Sequence, residues 1–179
     1  MLSKLPQTYD AAVWRAALLL GYAGGLRGSE YTLFVDSSNN TVVHEPPRID
    51  AVRFGNHEGM CYMVYKVVKS KTTIHPFYKY IACNSKVMCP VCQMYSYLCI
   101  RAAGRSLSPD APLFQFSDGN PLTKQLLNAG IKSLVAGCGV DPTNYSSHSL
   151  RIGILSCGHA AGMSDQQLVS LGNWRSDAF

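Results

Sequence analysis

Hydrophobic positions divide the chain into a helical frame and one strand-rich insert. From Tyr9 to Leu20, Ala11, Ala12, Val13, Trp14, Ala16, Ala17 and the Leu18–Leu20 run leave almost no polar face, which predicts a helix buried on most sides. Gly21, Gly24 and Gly25 then permit a tight break before Leu26, Arg27, Gly28, Ser29 and Glu30. Asp36 to Pro47 has the composition of a loop. Ile49 to Phe54, Cys61 to Val68 and Phe77 to Ala82 alternate as strands do, with turns at Gly55–Gly59 and at Lys69–Thr73. Helical periodicity returns in the stretch that carries Cys92 and Cys99 and runs to Ala103, from Thr123 to about Val135, and from Ser146 or Ser147 to Ala161. Ser164 and Gln167 form a capping-box start for a short helix to Leu171. The pattern predicts an α+β fold, mainly helical with a small antiparallel sheet, and contains no internal repeat or low-complexity tract.

Composition narrows the class without naming a function. A chain of 179 residues with 47% hydrophobic and 15% charged positions reads as one domain with an ordinary core. Its longest apolar runs are too short for a membrane span, and no charged-then-apolar leader opens it. Seven cysteines, an odd count without secretory context, read as free thiols in a reducing compartment, so an intracellular soluble chain is expected. Cys89-Pro90-Val91-Cys92 has the spacing of half a zinc site, but a second C-x-x-C or H-x-x-x-H pair is missing. Cys92 and Cys99, seven apart on a helix, have core spacing, so the reading is buried thiols with no metal and no cofactor. The formal charge of +5 permits a nucleic-acid partner without requiring one.

The segment richest in candidate chemistry begins at Asn144. His148 and Arg151 are spaced to share one face of a first helical turn, where Ser146 or Ser147 can cap. An imidazole, a guanidinium and free backbone N–H groups at a helix N-terminus together favour a phosphate. Arg27 has two readings: delivered inward from the glycine break with Glu30 bracing it, or exposed and paired locally with Glu30. Lys71, at a predicted hairpin tip, is either a solvated charge or a proton donor swung into a cleft. Lys124 and Lys132, on or near the polar side of their helix, are candidates for a DNA-facing surface and equally for a solvated face.

Taken in order, these stretches resemble the catalytic domain of a tyrosine recombinase, the phage-integrase superfamily. LLLGYAGGLRGSEY resembles its first box, with Arg27 at the first arginine and Glu30 at the acidic position; KSKTT resembles the hairpin carrying the family lysine, which places Lys71 there with Lys69 as substitute. HSLRIG resembles the His-x-x-Arg box through His148 and Arg151, and LGNWRSDAF the final motif, with Trp174 where many members have a second histidine. The wording of CPVC, FSDGNPLT and SHSLRIG is closest to recombinases of eukaryotic mobile elements of the crypton and DIRS type, and the match covers nearly all of residues 1–179. The resemblance implies duplex DNA as partner, self-association on DNA in the full-length protein, nuclear action, and neither a membrane nor a small-molecule substrate. It implies strand cleavage and rejoining through a 3′-phosphotyrosyl intermediate, with Arg27 and Arg151 on the phosphate, Lys71 protonating the leaving 5′-oxygen, His148 assisting and Trp174 donating a hydrogen bond.

Two departures qualify that expectation. The family's nucleophilic tyrosine follows the Trp174 position by about eight or nine residues, and five residues follow it here. Tyr145, beside His148, has no such role in the motif. The family's N-terminal helical domain also has no room ahead of residue 9. The expectation is therefore a partial catalytic domain without its attacking group, the alternatives being a non-catalytic DNA-binding or partner-binding remnant and, from another class, a zinc-stabilised interaction module.

Overall fold

A computed structural model describes residues 2, 5–36, 38–39, 41–68, 70 and 75–173. Helix α1 (Tyr9–Ala23) is the hub, and its sequence explains why. Thr8 caps it by accepting from the Ala11 N–H at 3.3 Å, and ten residues from Ala11 to Gly21 are buried, including the small Ala12, Ala16 and Ala17. Small side chains on several faces let other elements approach from several directions. Arg15, although charged, is buried too, and it donates to the Leu5 and Pro6 carbonyls at 2.6 and 2.8 Å, tying down the lead-in.

Strands β1 (Phe34–Asp36) and β2 (Thr41–His44) form a two-stranded antiparallel hairpin where a loop was predicted. Thr41, Val42 and Val43 are all exposed, so this ladder is held by backbone pairing and carries no buried alternation for periodicity to detect. Strands β3 (Val52–His57), β4 (Met60–Val67) and β5 (Phe77–Ala82) form the main antiparallel sheet in that order. Ile49–Ala51 is a 3-10 turn leading into β3 instead of the strand start predicted there. The first connection is tighter than predicted: Glu58 and Gly59, at φ of 50° and 79°, join β3 to β4 as a two-residue turn. In β4 and β5 the odd-numbered positions face the core, with Met63, Tyr65, Val67, Lys79 and Ile81 buried and Tyr78 and Tyr80 exposed. Each buried apolar side chain of this kind stabilises the fold by roughly 1.5–3 kcal/mol.

Helix α2 (Pro90–Ala102) packs on α1 and on the sheet through Val91, Met94 and Tyr97. Cys92 and Cys99 lie off that stripe and are exposed, which corrects the expectation that their spacing buries them. The core stripe of α2 starts one position earlier, and among the predicted thiols Cys89 alone is fully buried. Helix α3 (Lys124–Ala136), capped by Thr123, adds Leu127, Ile131 and Val135 to the core. Helix α4 (Ser147–Ala160) is capped by Ser146 in a box with Ser149 and packs against α1; α5 (Asp165–Gly172) begins at the predicted Ser164–Gln167 box. Among the described residues no helix is long and apolar enough to cross a membrane.

Candidate functional site

The turn after α1 carries Arg27 on a short 3-10 segment, Gly28–Glu30, that folds back on itself. The Glu30 carboxylate takes the Arg27 backbone N–H at 2.9 Å and the Arg27 guanidinium at 3.2 Å. It also takes the Ser70 hydroxyl at 2.7 Å, while the Tyr65 hydroxyl donates to the Glu30 carbonyl at 2.8 Å. The Glu30 side chain is 1% exposed and that of Arg27 22%. A buried carboxylate is tolerated when its oxygens are this fully occupied. Glu30 therefore does two things: it fixes Arg27, and it holds Ser70.

Arg151 comes to the same place from the other end of the chain. It is 2% exposed, and its Nη1 donates to the Gly25 carbonyl at 2.6 Å while Nη2 donates to the Gly172 carbonyl. Burial lowers its pKa from the ordinary arginine value, the nearby Arg27 lowers it further, and Glu30 raises it. Those couplings place Arg27, Glu30 and Arg151 in one electrostatic neighbourhood.

Lys79 completes it. From the core face of β5 its ammonium donates to the Leu171 carbonyl at 2.7 Å and the Ser170 carbonyl at 3.3 Å. The last turn of α5 leaves unpaired carbonyls and the negative end of the helix dipole, and two buried cations, Lys79 and Arg151, occupy them. Burial pushes the Lys79 pKa down to about 8, Glu30 opposes this, and Arg151 and Arg27 add to it. Among the described residues, Arg27, Lys79 and Arg151 thus share one electrostatic neighbourhood with the Glu30 carboxylate.

Glycine lets the elements meet. At Gly25, φ is +58° and a Cβ would lie 3.0 Å from the Leu171 carbonyl oxygen. At Gly28 a Cβ would lie 2.5 Å from Ser147 Oγ, so the arginine turn and the start of α4 touch only because that position is bare. Ser147 is buried there, and its N–H donates to Asn128 Oδ1 at 2.9 Å.

Of the predicted site residues, Arg27, Glu30 and Arg151 are brought together. His148 is exposed on the first turn of α4, beside but not buried with Arg151. Lys71, its substitute Lys69 and Trp174 lie outside the described residues, although Asn173 immediately follows the carbonyls that Lys79 and Arg151 hold. Tyr145 is exposed. Lys124 lies 4.4 Å over the Phe34 ring, and Lys132 is exposed. Ser70 and Lys79 went unpredicted. Lys79 left a signal, since it breaks the apolar alternation of Phe77 and Ile81; Ser70, a small polar residue in a polar turn, left none. The clefts lined by Gln7, Arg15 and Met88 and by His57, Met60 and Tyr80 do not include Arg27 or Arg151.

No protein-family model and no curated protein matches the chain. Solved structures do. The XerH site-specific recombinase bound to its difH substrate in a pre-cleavage complex superposes with a TM-score of 0.66 at 16% identity, over 98% of this chain. The Tn1549 transposon integrase in complex with transposon right end DNA gives 0.53 at 16% identity, over 91% of this chain. The fold is that of a tyrosine-recombinase catalytic domain. The chain spans 44% of the length of the XerH chain and 51% of that of the integrase. Within this recombinase fold the arginine turn, the main sheet and the α4–α5 corner converge on a single charged cluster.

Proposed function

We propose that this chain supplies the phosphate-binding part of a DNA site-specific recombinase, one that breaks and rejoins strands by transesterification. The observation that carries the reading is the shared neighbourhood of Arg27 and Arg151, preorganised by a buried carboxylate and by backbone carbonyls. Rigid forked N–H donors held in advance stabilise charge developing on non-bridging phosphate oxygens without reorganisation. In the proposed step a tyrosine oxygen forms a bond to the scissile phosphorus and the bond to the 5′-oxygen breaks. Lys71 gives that leaving oxygen its proton, and His148 assists proton movement at the nucleophile. Trp174 donates an indole hydrogen bond to phosphate. Attack by a 5′-hydroxyl on the phosphotyrosyl bond reverses the chemistry, so neither metal nor high-energy cofactor enters the balance. The tyrosine belongs, on this reading, to sequence beyond residue 179. Self-assembly of the longer protein on DNA and action in the nucleus accompany the reading and rest on the motif resemblance alone.

A second reading, a DNA-holding chain that does not cut, is favoured by the two backbone carbonyls that engage Arg151, because a purely structural arginine makes the same contacts. One experiment separates them. A protein extended through its native codons to the first downstream tyrosine is incubated with nicked duplex and analysed for a covalent adduct. Adduct formation abolished by Arg27→Ala supports cleavage. Salt-sensitive duplex binding with no adduct supports the second reading, and absence of both removes the two together.

A further inference from the structure

At the end of the sheet remote from Ser70, three thiols converge. Cys83 follows β5, and Cys89 and Cys92 open α2 on either side of Pro90 and Val91. The Sγ atoms of Cys83 and Cys92 lie 3.6 Å apart and those of Cys83 and Cys89 3.5 Å apart, and all three fall within 4.8 Å of one another. Those separations are too long for a disulfide. They match the edge of a thiolate tetrahedron, which for metal–sulfur bonds of about 2.3 Å is about 3.8 Å.

The surroundings suit bound thiolates. Cys89 is the N-cap residue of α2, where the helix dipole favours negative charge. A fourth sulfur stands nearby. The Cys83 N–H donates to the Cys61 carbonyl at 2.9 Å, and the β4–β5 register continues from there as Tyr62 with Ala82 and Met63 with Ile81. Cys61 and Cys83 are therefore cross-strand partners on the same, core-facing side of the sheet. Directly opposed side chains of this kind have Cβ atoms about 4.5–5.5 Å apart. Cys61 is exposed, and its sulfur now accepts a long contact from Asn56 Nδ2 at 3.5 Å, so a change of rotamer brings it towards the other three.

We propose that Cys83, Cys89 and Cys92, with Cys61 as fourth ligand, form a structural site for a thiophilic divalent metal ion, Zn²⁺ foremost. Such a site clips the end of β5 and the middle of the sheet to the start of α2, which in turn packs on α1. The sequence hid it because its ligands come from a lone strand cysteine, a strand end and one C-x-x-C, and not from two C-x-x-C pairs. The proposal is independent of the recombination reading.

The test uses the reduced 179-residue chain, stripped of metal and titrated with Co²⁺ alone and then with Zn²⁺. The expected result is one Co²⁺ per chain with tetrahedral bands and thiolate-to-metal charge transfer, displaced by Zn²⁺, which raises the melting temperature. Cys92 is exposed, so Cys92→Ser spares the core; it should weaken binding by more than about 100-fold, beyond the loss typical of changing a residue that only orients a ligand. Cys61→Ser should lower affinity and remove about a quarter of the charge-transfer intensity, one thiolate in four. Cys99→Ser, Cys138→Ser and Cys157→Ser should change neither. A folded, reduced chain without the thiolate–Co²⁺ band overturns the site, as does equal loss of binding in Cys92→Ser and Cys99→Ser. An unchanged spectrum in Cys61→Ser overturns the four-thiolate assignment.

Discussion

Arg27 and Arg151 belong to one cluster yet are held in opposite ways. Arg27 sits on a turn, partly open to solvent, and its partner is a carboxylate three residues away. Arg151 sits on a helix in the interior, and its described partners are neutral carbonyls from Gly25 and Gly172. A carboxylate cancels charge, whereas carbonyls orient a guanidinium and leave its charge intact. Glu30 therefore balances the charge of Arg27 at its own turn, and the Gly25 and Gly172 carbonyls serve to orient Arg151. The difference also assigns structural weight. Arg151 ties α4 to both the glycine break and the end of α5, and Arg27 ties only its own turn.

Substitutions at each residue can break that contrast. Arg151→Ala strands two buried carbonyls and opens a void, so a loss of about 3–5 kcal/mol is expected in urea unfolding followed by circular dichroism. Arg151→Lys should recover only part of it, because one ammonium cannot reproduce the fork. Glu30→Gln leaves Arg27 without its carboxylate and weakens the hold on Ser70, and should cost about 2 kcal/mol, with the loss shrinking at high salt. Arg27→Ala should cost about 1 kcal/mol, since the Glu30 carboxylate keeps Ser70 and the Arg27 backbone N–H. If Arg27→Ala destabilises as much as Arg151→Ala, the division between an orienting and a structural arginine is wrong.

The same residues show what the sequence could and could not convey. Helices α1 to α5 were legible because each buries a stripe or carries a cap, as Ser146 and Ser164 do. The β1–β2 hairpin was not, because exposed Val42 and Val43 make its ladder a matter of backbone pairing. Arg27, Glu30 and Arg151 were legible as an ordered set of motifs, and neither arginine alone distinguishes a phosphate grip from a surface charge. The partners that fix them are backbone carbonyls at Gly25 and Gly172, and a carbonyl is present at every residue. No sequence pattern marks the ones a fold will use. Lys79 lies between these cases: charge at an inward strand position is a visible anomaly, but its resolution at the end of α5 depends on tertiary structure.

Lys79 also gives the smallest and most specific test of the carbonyl-holding side of the comparison. Its folded pKa of about 8 lies below the ordinary lysine value of 10.5. Between those limits the unfolded chain binds the proton that the folded chain has lost, so stability rises with pH across the window. Below about pH 8 both states are charged, and the full penalty of burying the ammonium is present. Lys79→Met removes the titration while keeping the packed stem. The wild-type protein should therefore gain about 1 kcal/mol on the variant between pH 8 and 9, measured as the difference between paired urea curves. Pairing the curves cancels thiol titrations that both proteins share. A flat difference would mean that Lys79 keeps its ordinary proton affinity. The α5 carbonyls would then offset the cost of burying the ammonium in full.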